Sequence, residues 1–354
     1  MSEASLQNLA EKAELGNDLE KAEIQIAADL LAAPEPSQKD KERFLVSLAD
    51  KGESPREIAA FASRFRELAR NPEVDEFAHS AIDVCGTGGD KSGSFNVSTT
   101  VAFVLAAAEV PVFKHGNRSI TSKCGSADLL EAIGIPLETE SNLLRSSLEE
   151  LHFAFFFAPA YHPAFKEIVP VRKNLAEQGR RSVFNILGPL INPGRPAHQL
   201  LGVFSPEFVT KLASCLEVLD LRRALVVHGA LAEGGGLDEL SCCGTNLVAG
   251  VGELCETQGE WIPENFGLHH HPFADLSGGD VSDNLDLLEA LFAGKAPSGL
   301  LDTVCLNAGA ALWIANRVGG VEEGVAIAKD LLLGGKVRSW LNRAKVFYAD
   351  LKDA

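Results

Sequence analysis

The stretch GTGGDKSGSFNVSTT, Gly86 to Thr100, holds the densest set of residues able to do chemistry in this chain of 354. It follows the apolar run Ile82-Asp83-Val84-Cys85 and leads into a helical pattern beginning near Thr99, so it reads as strand, glycine loop and helix in succession. Four glycines in eight residues let backbone N–H groups approach a ligand with no Cβ in the way. Ser94, Asn96, Ser98 and Thr99 add polar groups at a helix N-terminus, where peptide dipoles favour an anion. The guest this predicts is a phosphate or diphosphate. Two better-known templates fail: GxGxxG would need glycine where Lys91 stands, and a Walker loop would need Lys and then Ser or Thr after Gly93, where Ser94-Phe95 stands. The bland alternative is a glycine-rich surface turn capped by hydroxyls.

A second constellation, FKHGNRSITSKCGSADLLEAIG, spans Phe113 to Gly134. An apolar run ends there in a loop bearing Lys114, His115, Asn117, Arg118 and Lys123 among several hydroxyls, with Ser126 placed to cap a helix opening at Ala127. Lys114 or His115 alone would read as an ordinary solvated or satisfied side chain, but three cations together in an acidic protein predict an anion subsite. In a third, VVHGALAEGGGLDELS, Val226 to Ser241, a buried-looking strand ends at His228-Gly229 and a glycine run delivers the adjacent acids Asp238 and Glu239. Mg2+ takes one or two carboxylates together with waters and substrate phosphates, so this pair could hold the ion that neutralises a diphosphate. A charge cluster at a helix start is the alternative.

Other patterns carry less. His269-His270-His271 invites a metal reading, but consecutive loop residues rarely converge on one ion, and an exposed loop is expected. Cys242 and Cys243 lack ligand spacing and are expected to be small residues near the acidic pair. Phe153 to Phe157 reads as a core strand rather than a base-stacking platform.

These loops need elements to position them. From Ser5 to about Leu68 apolar residues recur at three- and four-residue spacing without a strand run, broken at Ala33-Pro34-Glu35-Pro36-Ser37 and again at Lys51-Gly52, after which Ser54-Pro55 reads as an N-cap with proline at the first helical position. Beyond Asn71-Pro72 the composition changes, and apolar runs (AIDVC, VPVFK, AFFFA, HQLLGVF, ALVVHG) alternate with helical segments, which argues an α/β architecture. With 46 % hydrophobic and 23 % charged residues the chain falls outside the disordered and fibrous classes. Its net charge of −17 opposes general nucleic-acid binding, because no basic patch offsets it. Seven dispersed cysteines without a CxxC pair fit reduced thiols in a cytosol, and no secretory or membrane-spanning apolar run is seen.

Taken together, GTGGDKSGSFNVST, KHGNRSITSKCGSADLLEAIGI, FAPAYHPAFKEIVPVR, RSVFNILGPLINP and VVHG with GLDELS, in this order and over nearly the whole chain, resemble the anthranilate phosphoribosyltransferase family. The resemblance implies an α/β fold: a small N-terminal all-α domain, residues 1–75, with hinge helices from 163–180 packing on it, plus a larger domain, 76–354, with a central mixed, mostly parallel sheet flanked by helices. It implies transfer of a phosphoribosyl group from 5-phosphoribosyl 1-diphosphate to the amine of anthranilate in tryptophan biosynthesis, with Mg2+, in a cytoplasmic homodimer that binds neither nucleic acid nor membrane.

Carried over position by position, the phosphoribosyl substrate would meet Gly86, Gly89, Asp90, Ser94, Asn96, Val97, Ser98, Thr99, Lys114, His115, Gly116, Asn117, Arg118, Ser119, Ile120, Thr121, Ser122 and Ser126. Anthranilate would meet Gly86, Asn117, His162 and Arg172, whose guanidinium fork suits a carboxylate, and the metal would meet Ser98, Asp238 and Glu239. Three departures stand out: about three extra residues in KNLAEQGRRS after Arg172, Lys91 where glycine is usual, and Cys124 where serine is usual. The rival readings are a pyrimidine nucleoside phosphorylase of the same fold and a non-catalytic paralogue that binds nucleic acid.

Overall fold

The computed structural model describes residues 5–90, 92–118, 123–231 and 234–349. The described chain opens with helices Leu6–Glu14, Lys21–Ala32, Gln38–Lys51 and Pro55–Glu67, and among the described residues no strand precedes Ile82. Local chemistry sets the start of the fourth. Ser54 Oγ accepts the Glu57 N–H, Glu57 accepts the Ser54 N–H at 2.8 Å, and Pro55 takes the first helical position, where no N–H is needed. The Glu57 carboxylate is buried and fully used, accepting also from the Leu19 N–H at 2.9 Å and from Lys51 at 2.8 Å.

The remaining strands build one mixed sheet: β1 (Ile82–Gly86), β2 (Val112–Gly116), β3 (Phe153–Phe157), β4 (His198–Gly202), β5 (Arg223–Ala230), β6 (Gly236–Leu237), β7 (Asn246–Gly252) and β8 (Gln258–Trp261). Their order is β3-β2-β1-β4-β5-β7-β8, with β6 on the end of β5. The first five run parallel, and β6, β7 and β8 pair antiparallel. The mostly parallel sheet therefore agrees with the expectation, and Phe153–Phe157 is a core strand.

Both faces of the sheet are covered, which is why its central strands read as continuous apolar runs. The two-residue period sends Val84, Leu200, Leu225 and Val227 into a core with helices Val97–Ala107, Ser298–Ile314, Val321–Leu333 and Lys336–Ala349. Cys85, Leu201, Ala224 and Val226 face the other way, into a core continuous with the N-terminal helices, helix Glu207–Val218 and residues Ile168–Ile191. The stretch after β3 runs along the N-terminal helices as a 3-10 turn, Pro163–Glu167, and helix Val169–Glu177. The Asn174 and Gln178 amides both donate to Glu42, at 2.7 and 2.8 Å, and Arg180 pairs with Asp50 at 3.1 Å. The residues that follow Arg172 thus form the end of this helix and its glycine turn, Gly179 at φ +70°.

After β1 the chain moves outward through β2 and β3, then returns to β4 on the opposite side of β1 and continues to β5. Connections leaving neighbouring strands in opposite directions open a crevice at the carboxyl ends of β1 and β4. The glycines that follow β1 and the start of helix Val97–Ala107 lie there.

Candidate active site

At the floor of the crevice Gly86 and Gly202, the last residues of β1 and β4, are register partners. The chain folds back after β6 so that Asp238 lies across them: a Cβ on Gly86 would overlap the Asp238 carboxylate, and one on Gly202 its carbonyl. Glycine is required at both positions by close approach. The Gly88 N–H donates to Asp238 Oδ2 at 2.6 Å, and the Ser98 N–H, in the first turn of helix Val97–Ala107, donates to Glu239 Oε1 at 3.2 Å. Gly88 and Gly89 hold φ +69° and +81°, which turns the loop over the strand ends.

The acids are fixed from behind. Asn307 accepts the Leu240 N–H at 3.1 Å and donates to its carbonyl at 2.7 Å. Asn246 grips Ser241 in the same way, at 2.7 and 2.9 Å, and Thr303 Oγ1 accepts the Cys242 N–H at 3.1 Å. Buried side chains thus stand in for a missing strand partner along residues 240–242.

Burial pushes the Asp238 carboxyl up, and the Asp90 carboxylate beside it acts the same way. Burial likewise raises Glu239, with Asp238 adding to the effect and Lys114 opposing it. Lys114 is 2 % exposed and donates to the Val84 carbonyl and to Ser98 Oγ, the latter at 3.1 Å. Hard oxygen donors gathered around excess negative charge suit a divalent cation, and Ser98 Oγ keeps a second lone pair. Among the described residues no three His, Cys, Asp or Glu side chains gather into a closed metal cage. The donor set therefore fits an ion such as Mg2+ that completes its shell with water and substrate oxygens.

The second constellation differs from the sequence expectation. Lys114 and His115 are buried on β2, while Arg118 is ion-paired with Asp128 at 3.0 Å and Glu131 at 2.9 Å. The three cations do not form one open cluster, because the helix after the loop supplies carboxylates that neutralise Arg118. Ser126 is the first residue of that helix rather than its cap: Gly125 holds the cap position and its N–H is bound by Asp128, while Ser126 Oγ donates to the Asn117 carbonyl. Asn117 Oδ1 accepts the Arg118 N–H at 2.7 Å, and Gly116 packs directly under Ser126. Cys124 is buried with its Sγ 3.7 Å from the Gly125 carbonyl. Helix Val97–Ala107 starts two residues before the expected Thr99, and its Thr99 is fully buried. Ser94 Oγ bonds to Ser92, and Ser92 to Asp90. Ser119, Ile120, Thr121, Ser122 and Lys91 lie outside the described residues.

Alternation along β2 turns His115 away from Lys114 and into a cluster of rings. His115 and His162 meet edge to face at 5.1 Å, His162 meets Phe165 at 5.6 Å, Phe165 meets Phe184 at 5.4 Å, and the Arg172 guanidinium lies 5.9 Å over the Phe184 ring. Burial drives the His115 pKa well down, with His162 next in effect, and brings His162 to about 4. The neutral His115 donates from Nδ1 to the Gly188 carbonyl at 3.2 Å, which leaves Nε2 an acceptor; the Nε2 atoms of both histidines are buried without a hydrogen-bond partner. Burial also lowers Arg172, which has no ion-pair partner among the described residues. The structure thus brings His115, His162 and Arg172 into one ring cluster, and Gly86, Gly88, Ser98, Lys114, Asp238 and Glu239 into another group. Among the described residues no hydrogen bond joins Asn117 to Arg172.

His269 and His270 are exposed as expected, but His271 is half-buried and bonded to Asp302 at 2.9 Å. All seven cysteines are free thiols. Sequence reasoning did not find Asn246, Asn307, Thr303 or Thr87, whose Oγ1 accepts the Phe204 N–H at 3.1 Å. Single polar residues carry no pattern until the fold brings their partners together.

Residues 78–338 match the model of the glycosyl transferase family, a/b domain. An anthranilate phosphoribosyltransferase of Deinococcus radiodurans is 43 % identical over 294 residues, 82 % of this chain and 84 % of the relative. One from Rubrobacter xylanophilus is 40 % identical over 338 residues, 96 % of each. The crystal structure of the Thermus thermophilus enzyme superimposes with a TM-score of 0.86 at 41 % identity, covering 96 % of this chain and 99 % of that one. The chain belongs to the anthranilate phosphoribosyltransferase family. The Saccharomyces cerevisiae enzyme in complex with PRPP and Mg has the same fold, with a TM-score of 0.83 at 22 % identity, covering 99 % of each chain.

Proposed function

We propose that this chain transfers the phosphoribosyl group of 5-phosphoribosyl 1-diphosphate to the amine of anthranilate, releasing diphosphate, as a Mg2+-dependent pentosyl transferase of tryptophan biosynthesis. The observation that carries the reading is the docking of Asp238 and Glu239 onto the glycine loop at the switch point of the sheet, through the Gly88 and Ser98 N–H groups. Family membership and the activity for which its relatives are named support it.

The donor lies against the glycine loop and the start of helix Val97–Ala107, held by Gly86, Gly89, Asp90, Ser94 and the Asn96–Thr99 turn. Lys114, His115, Gly116, Asn117, Arg118 and Ser126 line the other side, and Ser119, Ile120, Thr121 and Ser122, outside the described residues, are assigned to the same substrate. Mg2+ at Ser98, Asp238 and Glu239 supplies charge neutralisation for the diphosphate. Lys114, buried between Ser98 and the β1 backbone, adds fixed positive charge beside the leaving group. Anthranilate lies between the donor and the ring cluster of His115, His162 and Phe184, and meets Gly86 and Asn117. Its carboxylate gives the half-buried, unneutralised Arg172 a counter-ion, and its amine offers protons to the bare Nε2 atoms of His115 and His162. The amine nitrogen attacks C1 as the C1–O bond to diphosphate breaks, the electron pair leaves on the diphosphate oxygen, and the proton the nitrogen sheds passes to the departing diphosphate. Because the amine is already nucleophilic, orientation and leaving-group stabilisation suffice.

The helical segment 1–75 and the hinge at 163–180 close over the larger domain and exclude water that would hydrolyse the donor. The protein is a cytoplasmic homodimer paired through the helical segment. Among the described residues no helix is long and apolar enough to cross a membrane. Mass spectrometry tests the reading: N-(5-phosphoribosyl)anthranilate should form only when donor, anthranilate and Mg2+ are all present. Phosphorolysis of a pyrimidine nucleoside with no such product would replace it by the phosphorylase reading.

A further inference from the structure

A glycine-rich loop has little with which to hold its own shape, and this one is braced from outside. Asn96 stands at the cap position of helix Val97–Ala107 yet makes no side-chain bond to the helix. Its Nδ2 donates instead to the Cys124 carbonyl and to Asn284 Oδ1, both at 3.2 Å, and its backbone N–H donates to the same Oδ1 at 3.1 Å. Asn284, 1 % exposed in the first turn of helix Val281–Phe292, donates from its own Nδ2 to the Gly279 and Asp280 carbonyls at 3.1 and 2.9 Å. Every donor and acceptor of this carboxamide is thereby used.

The main chain reinforces the brace. The Phe95 N–H donates to the Leu276 carbonyl at 2.8 Å, the Gly278 N–H to the Gly93 carbonyl at 2.9 Å, and Ser94 pairs with Ser277. A Cβ on Gly278 would press into the Ser94–Phe95 backbone, so the two segments are in contact along their length. We propose that Asn284 is a positioning residue for the donor subsite: through Asn96 it locks the glycine loop, the start of helix Val97–Ala107 and the Cys124–Gly125 corner in one arrangement. This rests on the reading of that loop as the donor site.

The test uses Asn284→Leu, similar in size but unable to bond, with Asn284→Ser, too short to span to Asn96, replacing it if the leucine variant fails to fold. The Michaelis constant for 5-phosphoribosyl 1-diphosphate should rise on the order of tenfold or more, while that for anthranilate stays within about twofold. A double variant with Asn96→Ala should lose less than the sum of the two single losses. Hydrogen exchange at 93–98 should accelerate in the Asn284 variant with no substrate present, a readout that does not depend on which reaction the enzyme performs. A folded variant with unchanged exchange and donor constant would overturn the proposal, as would equal rises for both substrates or strict additivity. Absence of turnover in the unaltered enzyme would instead overturn the proposed reaction, leaving the exchange result to judge the brace.

Discussion

Asp238 and Glu239 are costly to bury as anions, and both carboxyls are pushed up by burial. Replacing them together with Asn and Gln keeps the shape and removes the charge. The double variant should lose turnover at ordinary Mg2+ while its thermal midpoint in metal-free buffer stays at or above that of the unaltered protein. Wild-type-like rates would remove the pair from the metal site. Arg172→Ala should raise the Michaelis constant for anthranilate by about tenfold or more and leave that for the donor near its original value; equal effects would move Arg172 out of the acceptor cleft. His162, at about 4 in the fold against an ordinary 6.5, binds its proton more readily when unfolded. Its contribution to stability is present above pH 6.5 and is lost as pH falls toward 4, up to roughly 3 kcal/mol. Denaturant titrations of His162→Gln across that window should show a shallower pH slope than the unaltered protein, and an unchanged slope would contradict the burial argument. At this scale the acids, lysine and glycines were legible because their types announce charge and turn chemistry. Asn284 was not, since its partner Asn96 stands 188 residues away, nor was Asn307, 67 residues from Leu240.

At the level of elements, the close approach of strand ends and acid loop is the demanding feature. Gly202→Ala forces a Cβ into the Asp238 carbonyl, which must displace the loop, cost on the order of 1–3 kcal/mol in chemical denaturation and depress turnover. An alanine variant of full stability and activity would mean the loop sits farther from β4. Strands β1 to β5 could be read from the sequence because both their faces are buried, which leaves uninterrupted apolar runs. β7 and β8 could not. Asn246–Gly252 is broken by Gly250 and Gly252, and Gln258–Trp261 is a largely exposed edge of polar residues. The Ser54-Pro55 start was legible for the opposite reason: a capping box lies wholly within four residues.

At the scale of the whole molecule, the net charge of −17 sets a repulsive background for a polyanionic donor, so attraction must be local. The buried Lys114, the helix start and a divalent cation concentrate it at one crevice. Light scattering should give a mass near twice 37.7 kDa if the proposed dimer forms, and a mass near 37.7 kDa would contradict it. The proposed reaction requires donor cleavage and acceptor capture to occur together in this crevice. The most direct measurement mixes the protein with Mg2+, 5-phosphoribosyl 1-diphosphate and anthranilate and follows anthranilate fluorescence and diphosphate release in parallel. Equal rates of fluorescence loss and diphosphate release are predicted. Diphosphate release with anthranilate untouched, or no change in either, would contradict the account.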